Sequence, residues 1–114
     1  LGGSGFIGAH LAARHAAAGD RVVIAVRPGR SGSLPGLVAG LEAHEVDLGD
    51  SEQIEDLFAA ARPTLVYHLA TGTPQTSVAL QDPFSGEWLC DIHNLVRLLD
   101  VARRYRPEIK ALVR

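Results

Sequence analysis

Seven residues near the start of the chain, Gly2-Gly3-Ser4-Gly5-Phe6-Ile7-Gly8, carry the strongest chemical signal in the sequence. They satisfy two spacings at once, Gly3-x-Gly5-x-x-Gly8 and Gly2-x-x-Gly5-x-x-Gly8. In either register one glycine permits a tight turn, Gly5 lets the backbone come close to a pyrophosphate, and Gly8 lets a following helix press onto a sheet. Phosphates held there would meet free N–H groups and the positive end of a helix dipole. A plain structural turn is the competing reading, and the context decides against it. A helical stretch follows at once, then a buried strand ending about twenty residues past the turn, where a ribose is read. NAD-preferring sites carry Asp or Glu at that strand end, whereas Val26 offers no acceptor. Arg27 comes next and Arg30 three residues on; a guanidinium suits a 2′-phosphate. The pair favours NADP over NAD, against the alternative of two solvated loop arginines.

The elements that must position these residues alternate. A helix is predicted from about Phe6 to Ala18, rich in alanine. The apolar, largely β-branched run within Arg21 to Val26 suits a strand buried on both faces of a parallel sheet. A loop spans Arg27 to Gly36 and a short, weak helix Leu37 to Leu41, before a strand at Ala43 to Leu48. Asp50 and Gln53 form a start resembling a capping box for a helix to Ala61, with Ile54, Leu57 and Phe58 inward. Pro63 stops it, Thr64 to Leu69 is another strand, and Ala70 to Gln81 a polar loop. Asp82 and Pro83 open a long helix to about Tyr105, striped by Trp88, Ile92, Leu95, Leu99 and Ala102. Strands alternating with helices predict an α/β fold, a Rossmann-type doubly wound parallel sheet, with residues 1–114 as one domain incomplete at both ends. The absence of methionine and the abrupt ending at Ile109 to Arg114 suggest a fragment. A glycine turn of this kind follows the sheet's central strand. Leu1 can supply only the last residue of that strand, so its neighbours would lack a partner.

Other chemistries fit less well. A P-loop needs Lys-Ser/Thr after its last glycine, and Ala9-His10 stands there; a nucleophile elbow needs a glycine where Phe6 is. His10 and His15 are five apart and share no helix face, so no metal site is expected. Asp91 and His93, two apart, form no dyad, and Cys90 reads as an inert thiol. A net charge of −2 offers no basic surface to nucleic acid, and no apolar run is long enough to span a bilayer. The single cysteine fits a reducing cytoplasm.

Taken together, these residues resemble the extended short-chain dehydrogenase/reductase family of NAD(P)-dependent epimerases, dehydratases and ketoreductases, across essentially the whole chain. Gly2 to Gly8 is similar to its glycine motif and Val26-Arg27 to the strand end of its NADP-using branch. Asp47-Leu48-Gly49-Asp50 resembles its acidic segment, implying that Asp47 contacts the adenine amino group and Leu48 flanks the ring. Tyr67-His68-Leu69-Ala70 resembles its fourth-strand motif, implying that Leu69, Ala70 and Thr71 lie beside the cofactor. The asparagine usual midway along the long helix is replaced by Asp91.

The resemblance places the catalytic serine and the Tyr-x-x-x-Lys pair beyond this chain. The only lysine, Lys110, has Arg106 four residues before it, so no residue here is assigned as general acid or base. The expected function is that of an NADP-dependent oxidoreductase, epimerase or dehydratase acting on a sugar nucleotide or similar carbonyl/hydroxyl substrate. The rival is a non-catalytic dinucleotide-sensing protein of the same fold. The stripe along the long helix is either core only or also part of a helix pair across a homodimer interface, as the resemblance implies.

Overall fold

A computed structural model describes residues 1–31, 34, 36–70, 86–105 and 107–114, with side chains of the long helix described from Leu89 onward. The elements run α1 (Phe6–Ala17), β1 (Val23–Val26), a 3₁₀ turn (Gly36–Val38), β2 (Glu42–Glu45), α2 (Ser51–Ala61), β3 (Leu65–Tyr67), α3 (Gly86–Arg104) and β4 (Ala111–Val113). The expected opening of the long helix at Asp82-Pro83, and the loop before it, lie outside the described residues.

All strand pairs are parallel. β1 pairs with β2, with Val23 opposite Glu42 and Val26 opposite Glu45, and β3 pairs with β4, with Val66 opposite Leu112. The described strands thus form two ribbons of the expected parallel sheet. Among the described residues, Leu1 and Gly2 bridge them: the Leu1 nitrogen donates to the Tyr67 carbonyl at 2.8 Å, Leu69 N–H to Leu1 O at 3.0 Å, and Gly2 N–H to Ala25 O at 3.2 Å. Behind that bridge a cleft of about 550 Å³ separates β1 from β3, walled by Val23, Ala25, Leu65 and Val66.

β1 buries both faces, as its unbroken apolar run requires. Ile24 and Val26 pack with Ala9 and Ala12 of α1 and with Val38. Ala25 turns to the other side, joining Ile54, Leu57 and Phe58 of α2 and Leu98, Val101 and Ala102 of α3. The small residues of α1 explain its close seat on the sheet, since alanine and glycine hold the helix axis near the strands. α2 starts where expected: the Asp50 carboxylate accepts from Glu52 N–H at 3.0 Å and Gln53 N–H at 3.4 Å. Gln53 does not complete a capping box, because its amide oxygen accepts from Asp47 N–H instead.

Two expectations are corrected. Strands are shorter than the apolar runs, β2 ending at Glu45 rather than Leu48, because Asp47 to Asp50 fold into a turn closed by Asp50 N–H donating to Asp47 O at 3.0 Å. The stripe along α3 is offset. Ile92 and Leu99 are exposed, and the buried line is Leu98, Val101 and Ala102, with Leu95 half-buried. α3 carries apolar residues on more than one face, so of the expected stripe Ala102 is buried and Leu95 half-buried while Ile92 and Leu99 face outward; the Trp88 side chain lies outside the described residues. Among the described residues no helix is long and apolar enough to cross a membrane.

Candidate functional site

Parallel strands bring their C-terminal ends to one edge, and there the predicted site residues gather. Arg27 follows β1, Asp47 and Leu48 follow β2, and Leu69 and Ala70 follow β3. The glycine turn hangs from that same edge through the Leu1 and Gly2 hydrogen bonds. Thr71 lies outside the described residues.

The four glycines of the turn differ in what they are for. Gly2 has φ +83°, a left-handed backbone, and a Cβ there would stand 2.7 Å from Ala70 N and from the Leu69 carbonyl carbon. The fourth-strand motif and the turn are therefore in backbone contact. A Cβ on Gly3 would enter the Ile24 side chain, and one on Gly8 would strike the Gly2 carbonyl. Packing alone demands those three. Gly5 is different: its backbone is extended, φ −77° and ψ 165°, and a Cβ would meet only the Gly2 carbonyl oxygen, at an ordinary 3.4 Å. Nothing described in the chain requires glycine at this position.

Gly5 is also the N-cap of α1, with no side-chain cap on the helix and no acidic residue in its first turn. The leading N–H groups and the dipole's positive end are left for an outside acceptor. Ser4, Gly5, Phe6 and Ile7 are exposed; Phe6 is 82% and Ile7 68% accessible. Open amides, a side-chain-free N-cap and two bare apolar residues fit a diphosphate bridge flanked by flat organic groups.

At the ribose end Arg27 and Arg30 are both exposed. They occupy the first and last positions of a turn closed by Arg30 N–H donating to Arg27 O at 3.1 Å. Asp47 is exposed; one carboxylate oxygen accepts from Gly49 N–H at 2.8 Å, which fixes the side chain against its own turn. Leu48 is half-buried against the larger core cluster.

His68 sits deeper than the sequence could indicate. It is 1% accessible and, among the described residues, its Nδ1 has no hydrogen-bond partner. Burial pushes its pKa below the usual value; the positive charges of Arg114 and the chain's amino terminus add to that, and the Asp91 carboxylate opposes it. Asp91 is thus within electrostatic reach of His68. Sequence reasoning also missed a chain of contacts across the cleft. His15 Nδ1 lies 2.7 Å from Asp20 Oδ2, and its Nε2 3.2 Å from the Tyr67 hydroxyl. With the proton on Nδ1 the ring donates to Asp20 and accepts from Tyr67, tying the end of α1 to β3. His15 and Tyr67 are too far apart in sequence for any local pattern to reveal this. Among the described residues no group of three His, Cys, Asp or Glu could hold a metal.

Residues 1–113 match the model of a family described as the NAD dependent epimerase/dehydratase family. UDP-glucose 4-epimerase 4 of Oryza sativa subsp. japonica is 35% identical over 91 residues, covering 72% of this chain and 24% of that protein. The structure of the Thermus thermophilus UDP-glucose 4-epimerase in complex with NAD aligns with a TM-score of 0.76 at 30% identity, over 97% of this chain and 34% of that one. UDP-glucose 4-epimerase from Brucella ovis, in complex with NAD, shares the fold at a TM-score of 0.74 and 24% identity, over 92% and 31% of the two chains. The chain spans about a quarter of the curated relative and about a third of each solved structure.

Proposed function

Because the chain belongs to the NAD dependent epimerase/dehydratase family, we propose that it forms the cofactor-binding part of an enzyme that epimerises, dehydrates or reduces a sugar nucleotide. The named substrate of the rice relative makes a UDP-hexose the first to try. The nicotinamide of a bound dinucleotide supplies hydride acceptance and return. The chain's own residues bind and orient it. The amides at Phe6 and Ile7 take the diphosphate, which Gly5 lets approach while its own N–H donates to Gly2 O at 3.1 Å; Gly2, Gly3 and Gly8 hold those amides in place, and Ser4 lines the turn. Asp47 and Leu48 receive the adenine, and Leu69 and Ala70 flank the ribose. Arg27 and Arg30 take a 2′-phosphate, so the cofactor is NADP rather than NAD.

The observation that carries this reading is Gly5. Its neighbours in the turn must be glycine for the fold, while Gly5 has room for a side chain and lacks one. A residue kept bare where packing does not ask for it suits a ligand's close approach. The exposed line Leu89, Ile92, Val96 and Leu99 on α3 supports pairing of two copies through that helix.

The test is a fluorescence titration of the full-length protein with NADPH and NADH, followed by a turnover assay with UDP-glucose. Tight binding with turnover supports the enzyme, and binding with no turnover of any sugar nucleotide moves the reading to a dinucleotide sensor. No affinity for either dinucleotide refutes both.

A further inference from the structure

We propose that Glu45, the last residue of β2, is the positioning residue that sets the enzyme's choice at the ribose 2′ position, by fixing the turn that carries Arg27 and Arg30; this rests on the dinucleotide reading above.

The register places Glu45 directly beside Val26, the final residue of β1. The strand end that lacks a carboxylate thus has one on the adjoining strand. It is exposed, and its carboxylate faces the turn. One oxygen accepts from Gly29 N–H at 2.9 Å, and the other accepts from Ser31 N–H at 3.2 Å and from the Ser31 hydroxyl at 2.5 Å. Both oxygens are used, and their donors come from two residues of the same short loop.

The loop itself is built for two arginines. Arg27-Pro28-Gly29-Arg30 has proline second and glycine third, with Gly29 at φ +77°, the pattern of a type II turn. Such a turn brings its first and last Cα atoms within about 7 Å, so the roots of both arginine side chains lie together at the ribose end. Guanidinium recognition of a phosphate depends on fixed geometry, and long side chains supply it only when their backbone is held. A single exposed contact would hold this loop weakly. Three donors on one carboxylate hold it at two points, on the Gly29 and Ser31 sides of Arg30. The Ser31 hydroxyl foremost, then the Gly29 and Ser31 amides, keep the Glu45 carboxyl below the usual carboxylate range, so it stays ionised at neutral pH.

The test titrates NADPH and NADH against full-length wild type, Glu45→Ala, Glu45→Gln and Ser31→Ala. In Glu45→Ala, NADPH affinity should fall about tenfold while NADH affinity changes less than about twofold. Glu45→Gln keeps one acceptor oxygen and should fall between. Ser31→Ala removes only the hydroxyl donor, leaves the fold intact should Glu45→Ala not fold, and should cost about threefold for NADPH alone. Equal losses for both dinucleotides, an unchanged ratio, or tighter NADPH binding in Glu45→Gln would overturn the proposal, the last by making the carboxylate a repeller of phosphate. Wild type that binds neither dinucleotide would instead overturn the cofactor reading itself, and wild type that binds NADH alone would remove the 2′-phosphate from this turn.

Discussion

Replacing Gly5 by alanine separates a turn built for the fold from a turn built for a ligand. The added methyl meets one described atom within reach, Gly2 O at 3.4 Å, and the backbone angles there suit any residue. Alanine is a poorer N-cap than glycine by roughly 0.5–1 kcal/mol. A stiffer unfolded chain returns about 0.4–1 kcal/mol, so net stability should change by less than about 1 kcal/mol. Binding should respond differently. If a phosphate oxygen approaches over Gly5, the methyl lifts it off the amides and forfeits one charge-assisted hydrogen bond, about 1.5–3 kcal/mol. That corresponds to roughly a 10- to 150-fold weaker dissociation constant. Urea melts followed by far-UV circular dichroism give the first quantity, and quenching or transfer fluorescence with reduced dinucleotide gives the second. A variant that binds as tightly as wild type would refute the phosphate's path over Gly5, and one that unfolds would refute the space assigned to it.

Gly8→Ala should behave in the opposite way, losing about 3 kcal/mol or more because its Cβ strikes the Gly2 carbonyl and backbone cannot yield as a side chain can; an unchanged melt would sink that geometry. Arg27→Ala should weaken NADPH far more than NADH in parallel titrations, and equal losses would return Arg27 to the status of a solvated loop residue. Stability should fall with acid through His68. Its folded-state pKa lies below the ordinary 6.5, so the unfolded chain takes the proton first. The contribution of the neutral ring is complete above 6.5 and is lost as pH falls toward the lowered value, by up to about 1.4 kcal/mol per pH unit. Urea midpoints at pH 7.5 and 5.5, with His68→Gln as the control lacking that step, check it; a midpoint that holds or rises on acidification contradicts the burial argument.

What the sequence made legible was local. The glycine spacing, the Asp50 cap and the inward Ile54, Leu57 and Phe58 are each written within a few consecutive residues. A helix start or a tight turn is decided there by sterics and a single hydrogen bond. What stayed hidden depends on register and on contacts between distant segments. Glu45 reads as one more charge in Glu-Ala-His-Glu until pairing sets it beside Val26. His15 reads as a surface or packing histidine until α1 is laid across β3, bringing the Tyr67 hydroxyl to the ring. The α3 stripe was misjudged for a related reason. Leu95 and Leu98 alternate with Ile92 and Leu99 around a helix that is apolar on adjoining faces, and only the position of α2 decides which face is buried.

The site and the divided sheet bear on one another. The glycine turn can present its amides at one place only if Leu1 and Gly2 are held from both sides, by Ala25 of β1 and by Tyr67 and Leu69 along β3. β1 and β3 do not pair with each other, and a cleft lies between them. The one glycine left without a packing role, Gly5, lies on the outward side of the turn, where a ligand rather than the fold would use its bareness.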